Sequence, residues 1–198
     1  MRQRGFSLVE LMVTVSVLGI LMLSALPSLR TWLDNTRIRN AADALQDGLQ
    51  QARAEAVKQN RNMSFWLVAG SDPAVLANDC TLSSTSGSWV VSVNSPLAHC
   101  GDDPSNTSSP MIVTKRAVGD AGGRVAVTAV SGSASTASSS LVFNGFGRVS
   151  GTGGITQITV TGTGSATYRA LQVTISPSGQ VRMCDPDPNL SSSDPRKC

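Results

Sequence analysis

The chain opens with a long apolar segment that contains one charged side chain, and this segment constrains the fold more than any other. Residues 6–27 read FSLVELMVTVSVLGILMLSALP, in which Glu10 is the only charged residue. An apolar helix of about 20 residues can cross the ~30 Å hydrocarbon core of a bilayer. A carboxylate inside such a helix costs roughly 2.5–3.5 kcal/mol on insertion scales. We therefore expect Glu10 to have a specific partner.

Two arginines precede this segment and set the orientation that we expect in a membrane. Arg2 and Arg4 lie on its N-terminal side, and basic residues are retained on the cytoplasmic side of a membrane helix. A secretory signal peptide carries its small cleavage-site residues after the apolar core, whereas here Gly5 stands before it. Cleavage after Gly5 would leave the apolar helix on the mature protein. The alternative is a simple membrane anchor that contains a carboxylate.

Residues 28–60 continue the helix in a different form, with one apolar face. Apolar or small residues recur with the 3.6-residue period of a helix that buries one stripe, at Ile38, Ala41, Ala42, Leu45, Leu49, Ala52, Ala56 and Val57. The opposite face carries the charged residues Asp34, Arg37, Asp43, Asp47, Arg53, Glu55 and Lys58. A single helix over residues 6–60 would be roughly 80 Å long. Two helices broken at Pro27 are the alternative.

Beyond residue 60 valine, isoleucine, threonine, serine and glycine dominate, and the alternation of apolar and polar residues predicts strands. The predicted strands are residues 63–68, 89–93, 111–118, 125–130, 141–144, 155–161, 169–175 and 180–184. The serine- and glycine-rich stretches at 131–140 and 162–165 are expected to be loops. Residues 61–198 suffice for one hydrophobic core. The expected fold is therefore α+β, with an antiparallel sheet packed on the second half of the helix.

All four cysteines follow the helix, and so lie on the side of the membrane where disulfides persist. Four cysteines permit three connectivities. We favour Cys80 with Cys100 and Cys184 with Cys198, because each pair closes a loop-rich segment that has little means of ordering itself. A zinc site is disfavoured, since the chain has no C-x-x-C motif and only one histidine, His99.

The sequence lacks the patterns that catalysis requires. With one histidine and no G-x-S-x-G motif, a nucleophilic triad has nothing to build from. The glycine-rich stretches also lack the lysine of a G-x-x-x-x-G-K-[ST] phosphate loop. The acidic turn with Asp185 and Asp187 leaves a calcium site as an alternative to an ordinary surface turn. We expect a protein that is not an enzyme and that uses no cofactor.

Four stretches of the sequence resemble known families. GFSLVE, at residues 5–10, resembles the prepilin signature of type IV pilins and type II secretion pseudopilins. Three further stretches resemble the GspH/FimT family: DGLQQARAEAVKQN at 47–60, LVFNGFGR at 141–148 and ISPSGQVRMC at 175–184. The resemblance implies a type IV pilin-like fold. Its parts would be a leader at 1–5, a transmembrane helix at 6–27, an amphipathic continuation at 28–60 and a periplasmic β-rich domain at 61–198.

The same resemblance implies roles for three N-terminal residues. A prepilin peptidase would cleave between Gly5 and Phe6, and the new N-terminal amine of Phe6 would be methylated. Glu10 would then pair with the N-terminal amine of a neighbouring subunit and set the axial register of a filament.

The function implied by the resemblance is assembly rather than chemistry. We expect a FimT/FimU-like minor pilin that resides in the bacterial inner membrane and then joins a type IVa pilus at or near its tip. Its partners would be other minor pilins and the major pilin. A GspH-type pseudopilin of the type II secretion system is the alternative, because every motif described above is shared. The closed C-terminal tail and the long serine- and glycine-rich loops favour the minor pilin.

DNA uptake is a further function that the resemblance brings in. FimT-type pilins bind DNA through a Gly-Arg-x-Arg stretch near the C-terminus, and the matching positions here run from Gly179 to Arg182, with Gln180 in place of the first arginine. Arg196 and Lys197 would join Arg182 if the tail is closed by its disulfide. The formal charge is +3, and removal of the two leader arginines lowers it to +1. A charge-balanced, solvated tail is the competing interpretation.

Overall fold

A computed structural model describes residues 7–119, 124–132, 134–164 and 168–198, with the backbone alone at residues 23–28. The predicted leader and cleavage junction, including Gly5 and Phe6, lie outside these residues. In the described parts of the chain, one long helix precedes eleven strands.

Helix α1 runs without interruption over Leu8–Gln59, which is 52 residues or about 80 Å. The prediction of one long helix is confirmed, and the alternative break at Pro27 does not occur. A proline inside a helix removes one backbone hydrogen bond and crowds the carbonyl four residues earlier, but the backbone of α1 stays helical through Pro27. Ser7 caps the N-terminus, where its Oγ accepts a hydrogen bond of 3.2 Å from the amide of Glu10. Asn60 ends the helix in a left-handed conformation, with φ of 47°.

The first sheet contains six strands, numbered in chain order. They are β1 (Met63–Ala69), β2 (Thr81–Leu82), β3 (Ser88–Ser92), β4 (Ile112–Arg116), β7 (Ser140–Phe143) and β8 (Val149–Ser150). The strand order is β4-β3-β1-β7-β8, and β2 pairs with the end of β1. Every pair in this sheet is antiparallel.

The second sheet contains five strands, also antiparallel throughout. They are β5 (Val125–Ser131), β6 (Thr136–Ala137), β9 (Gln157–Gly162), β10 (Leu171–Ile175) and β11 (Val181–Cys184). The order is β11-β10-β9-β5-β6. The β-rich half of the chain therefore forms two sheets, and the α+β prediction of a helix packed on antiparallel structure is confirmed.

Three short strands differ from the sequence-based expectation. All eight predicted strands occur with ends shifted by a few residues, but β2, β6 and β8 were not predicted. Each has two residues, too few for a detectable alternation of apolar and polar side chains. The prediction of a loop at 131–140 is corrected accordingly, since β6 lies within it and pairs with the end of β5. These strands form because a longer neighbour offers them backbone partners.

Both sheets close over one stripe of the helix. The helix contributes Ile38, Ala41, Ala42, Leu45, Leu49, Ala52 and Ala56 to the core, all of them in the predicted stripe. The inclusion of Val57 in that stripe is wrong: it is 52% exposed, because it lies about 100° around the helix from Ala56. The first sheet contributes Phe65 and Phe143 to this core, and the second contributes Ile158 and Val173. Gly48 permits a close approach, because a Cβ at that position would lie 2.7 Å from the indole of Trp89. The helix is thus the shared centre of the core.

A smaller apolar cluster lies apart from this core and holds the long connection between β3 and β4. It contains Val68, Val90 and Ile112 together with the disulfide of Cys80 and Cys100. Lys115 adds a polar clamp, since its Nζ donates to the carbonyls of Gly101 at 2.7 Å and Asp102 at 2.8 Å. The bridge therefore orders a segment that has few apolar residues of its own.

Candidate functional site

The first half of helix α1 exposes apolar side chains on every side. The exposed fraction of its large apolar side chains runs from 51% for Val17 to 74% for Leu8. They are Leu8, Val9, Leu11, Met12, Val13, Val15, Val17, Leu18, Ile20, Leu21 and Met22. A helix that is apolar all round belongs in a membrane or among other helices. The described part of the chain supplies no such cover, so this half of α1 requires an outside partner.

A membrane span is not evident in the described residues themselves. No helix within them is both long enough and apolar enough to cross a bilayer. The predicted span at 6–27 reaches beyond them at Phe6, and only the backbone is described at 23–28. Insertion of this segment into a membrane stays a prediction.

Glu10 is the one carboxylate on this apolar half of the helix. Its side chain is exposed, and it forms no ion pair with any residue that the structure describes. A negative charge near a helix N-terminus is favourable by about 0.3–1 kcal/mol at exposed sites, so its position suits the isolated chain. The carboxylate stays available to a cation from another molecule.

The C-terminal tail folds back and is fastened at several points. A disulfide joins Cys184 to Cys198, which is the pairing that we favoured. Asp185 is only 5% exposed, and its carboxylate accepts a hydrogen bond of 2.9 Å from Nε of Arg169. The amide of Asp185 donates to the carbonyl of Arg196 at 2.6 Å. The tail is therefore a closed loop around the buried carboxylate of Asp185, which pairs with the half-exposed Arg169.

Of the three predicted DNA-binding cations, Arg182 lies in β11 and Arg196 and Lys197 lie in this tail, and each binds an acceptor in the tail. Arg182 donates to the carbonyl of Pro195 at 2.8 Å, and Lys197 donates to the carbonyl of Leu190 at 2.7 Å. Arg196 holds the carboxylate of Asp194 through two hydrogen bonds, of 3.0 and 2.7 Å. The same hydrogen bonds lower the pKa of the Asp194 carboxyl to about 2. The disulfide does bring these cations together, but their N–H groups form hydrogen bonds that hold the tail in place.

Gln180 lies apart from these contacts, in the turn between β10 and β11. Its side chain is exposed, and its backbone N–H donates to Oγ of Ser176 at 3.1 Å. It lines a shallow groove with Arg53 and Val57 of the helix. Nothing in the described contacts holds its side chain in the tail.

The two turns that carried the family resemblance meet each other and the helix. The amide of Val149 donates to the carbonyl of Pro177 at 3.2 Å. Nε of Arg53 donates to the carbonyl of Gly147 at 3.0 Å. Gly179 has φ of 82°, and a Cβ there would overlap the Gly147 carbonyl. These residues join both sheets to α1, so their role in this structure is architectural.

The partners that make these junctions are not predictable from the sequence. Arg169 and Asp185 are separated by 16 positions, and Arg53 and Gly147 by 94. No local pattern in the sequence indicates such pairs.

The acidic turn with Asp185 and Asp187, for which a calcium site was the alternative, uses the Asp185 carboxylate in hydrogen bonds within the protein. One oxygen of Asp185 is taken by Arg169, and the other accepts from the amide of Asp187 at 3.1 Å.

His99 lies beside one acidic side chain, that of Asp102. Its Nδ1 is 2.9 Å from a carboxylate oxygen of Asp102. Hydrogen bonds from Asn78 and then His99 lower the pKa of the Asp102 carboxyl. In the portions of the chain that the structure covers, no three His, Cys, Asp or Glu residues are grouped to hold a metal ion.

Comparisons with known proteins identify the family. The family model of type II transport protein GspH matches residues 41–179, and that of the prokaryotic N-terminal methylation motif matches residues 1–26. No curated protein sequence matches the chain. One crystal structure of the Pseudomonas aeruginosa type IV minor pilin FimU is 17% identical, with a TM-score of 0.45 over 77% of this chain and 91% of that one. A second crystal form is 18% identical, with a TM-score of 0.41 over 73% and 90%. Since the GspH model matches more than half of the chain, the protein belongs to the family of type II transport protein GspH.

Proposed function

We propose that the protein is a minor pilin that takes part in the assembly of type IVa pili, at or near the pilus tip. The observation that carries the proposal is the exposed apolar surface of α1 from Leu8 to Met22. At its start lies the carboxylate of Glu10, which has no ion pair among the described residues. Cleavage after Gly5 by a prepilin peptidase makes Phe6 the mature, methylated N-terminus. The helix then anchors the protein in the inner membrane, with residues 61–198 in the periplasm.

Assembly follows from the chemistry of that surface. Moving the helix from lipid to a bundle of neighbouring pilin helices keeps its apolar side chains out of water. A carboxylate in such surroundings is costly unless a cation neutralises it. The N-terminal amine of a neighbouring subunit, four residues before the equivalent of Glu10, supplies that cation. The pairing sets the axial register between subunits.

The proposal is tested by replacing Glu10 in cells that assemble pili. The E10A chain is expected to reach the membrane in normal amount but to be reduced at least severalfold in the sheared pilus fraction. Asp43→Ala is the matched control, because Asp43 is an exposed carboxylate on the same helix and is expected to assemble normally. Equal incorporation of both variants would contradict the role of Glu10 in assembly.

A pseudopilin of the type II secretion system is the second proposal, favoured by the description of the matching family model. The exposed helix and Glu10 would act in the same way in either filament. Deletion of the gene separates the two proposals. Loss of surface pili with normal protein secretion supports the minor pilin, and loss of secretion with normal pili supports the pseudopilin.

DNA binding is a lesser proposal for the tail. Arg182, Arg196 and Lys197 form one cluster, but their donors already bind acceptors in the tail. Any contact with DNA phosphates therefore has to compete with these bonds. We expect binding that is weak and independent of sequence.

A further inference from the structure

A surface cavity of about 450 Å³ lies at the C-terminal end of helix α1, where the helix meets the start of strand β4. One wall is formed by Glu55, Lys58 and Gln59 of the helix and by Arg61 just after it. The opposite wall is formed by residues 104–106 and 111–113. The cavity is roughly 50 Å along the helix from residue 27, the predicted end of the membrane segment. Binding of a ligand here is therefore independent of membrane anchoring and of assembly.

Arg61 brings a half-buried cation without an anionic partner to this cavity. Its Nη2 donates to the sulfur of Met111 at 3.3 Å, and this is its one side-chain hydrogen bond among the described residues. A thioether is only a weak acceptor. Nε of Arg61 is buried and has no hydrogen-bond partner in the described parts of the chain. Since buried polar groups are normally paired, this guanidinium edge lacks an acceptor that a ligand can supply.

The one carboxylate among the lining residues, that of Glu55, is already engaged. It accepts hydrogen bonds from Nζ of Lys58 at 3.0 Å and from Nε2 of Gln59 at 2.8 Å. The bond from Gln59, and then that from Lys58, lowers the pKa of the Glu55 carboxyl, so Glu55 is ionised at neutral pH. The charges of Lys58 and Glu55 cancel. Arg61 therefore leaves the lining with one net positive charge.

We infer that this cavity binds an organic monoanion, a carboxylate attached to an apolar group. The carboxylate accepts hydrogen bonds from Nε and Nη2 of Arg61, because a guanidinium binds a carboxylate through two parallel N–H groups. Met111 has a flexible side chain, which moves aside so that an oxygen replaces its sulfur as the acceptor. The apolar group of the ligand contacts Pro104 and Val113 on the opposite wall.

Charge and size both favour this ligand over an inorganic ion or a phosphate. A phosphate monoester carries about −1.5 to −2 at neutral pH, whereas the lining has a single unbalanced positive charge. The volume of about 450 Å³ corresponds to roughly fifteen water molecules at ~30 Å³ each. An inorganic anion would leave most of that space and the apolar wall unused.

The test is isothermal titration calorimetry of the full-length chain in detergent micelles with N-acetylleucine, a carboxylate with an apolar side chain. N-acetylleucinamide has the same shape without the charge, and we expect it to bind at least tenfold more weakly. A hydrogen bond to a charged group accounts for a difference of that size. Inorganic phosphate is also expected to bind more weakly, because it makes no apolar contact.

Three variants assign the binding to Arg61. Arg61→Gln should weaken the binding of N-acetylleucine at least tenfold. Arg148→Gln is the matched control, since Arg148 is exposed and does not line the cavity, and it should leave the affinity unchanged. Glu55→Gln removes the negative charge of the lining and should tighten binding severalfold, a gain that a folding defect cannot produce.

Four results would overturn the inference. They are no binding of N-acetylleucine at millimolar concentration, equal affinities of R61Q and R148Q, weaker binding by E55Q, and phosphate bound as tightly as N-acetylleucine. The peptide acetyl-Leu-Asp-Leu-amide, with its carboxylate on a side chain, distinguishes the two sources of such a ligand. Tighter binding of the peptide than of N-acetylleucine supports an acidic segment of another protein, and weaker binding supports a free carboxylic acid.

Discussion

The two ends of the described chain differ in how far their groups are satisfied within the molecule. The first half of α1 presents apolar side chains and the carboxylate of Glu10 to its surroundings. The C-terminal end carries three cations, Arg182 in β11 and Arg196 and Lys197 in the tail, and all three have acceptors in the tail. The cations at the C-terminal end are bound within the molecule, whereas the apolar side chains at the N-terminal end are exposed. A partner is therefore expected where groups lack contacts, rather than where charge is concentrated.

The largest expected effect separates the two halves of α1. Leu49 is fully buried between the sheets, so Leu49→Ala should reduce the free energy of unfolding by about 2–5 kcal/mol. Leu18→Ala, in the exposed half, should leave that free energy unchanged. Denaturant unfolding of the full-length chain in detergent, followed by Trp89 fluorescence, measures both variants. A similar loss in the two would show that the exposed half packs on the sheet domain.

The second prediction concerns removal of the disulfide that closes the C-terminal tail. Replacing Cys184 and Cys198 with serine should cost about 3 kcal/mol of stability by loop-closure entropy. It should also release the backbone acceptors that hold Arg182. Replacing Cys80 and Cys100 is the matched control, with a similar loss of stability and no change in the tail. Amide hydrogen exchange at residues 185–198 measures the difference, and unchanged protection without the Cys184 bridge would contradict the account of the tail.

A third prediction tests whether the cations at the C-terminal end bind DNA. Three cations limit the slope of log K against log salt to about −3 for duplex DNA. Gln180→Arg adds a cation that the tail does not use, and should make the slope steeper by about 0.9. Gln51→Arg adds the same charge on an exposed part of the helix and should have no such effect. Fluorescence anisotropy at two salt concentrations measures the slopes, and no binding by either the unaltered chain or Q180R would remove the DNA-receptor proposal.

The smallest expected effect is a pH dependence of the tail. The pKa of Asp194 falls from 3.8 to about 2 in the folded protein. A lowered pKa contributes stability above the unfolded value and loses it as pH falls through the folded value. Contacts of Arg196 should therefore weaken between about pH 4 and pH 2, and Asp194→Asn should remove that change. Proton NMR of the Arg196 side chain measures it, and an identical titration in D194N would contradict the assignment.

Periodicity made most of the fold predictable. The residues from Ile38 to Ala56 that repeat every 3.6 positions are the ones buried under the sheets, because only one face of a helix can pack on a core. Strands β5, β7 and β9 were predictable from alternation, because one face of each is buried and the other is more exposed. Strands β1 and β3 are buried on nearly both faces and show little alternation. The division into two sheets was not, since strand order depends on contacts between residues that are distant in sequence.

The candidate site was predictable only in part. Glu10 stood out because a charge in an apolar segment violates a local pattern. The engagement of Arg182, Arg196 and Lys197 could not be foreseen, because their acceptors are mainly backbone carbonyls of a tail whose path only the fold defines. The junction of Gly147 with Gly179 was recognised as two sequence motifs but not as one contact.

Mass spectrometry of the N-terminus tests the central claim most directly. If the apolar half of α1 is an assembly element, protein purified from cells should begin at Phe6 and carry one N-terminal methyl group. Cells without the prepilin peptidase should yield a chain that still contains Gly5 and the residues before it. An N-terminus at Met1 in normal cells would contradict processing, and one beyond residue 20 would show that the apolar helix is removed rather than kept for assembly.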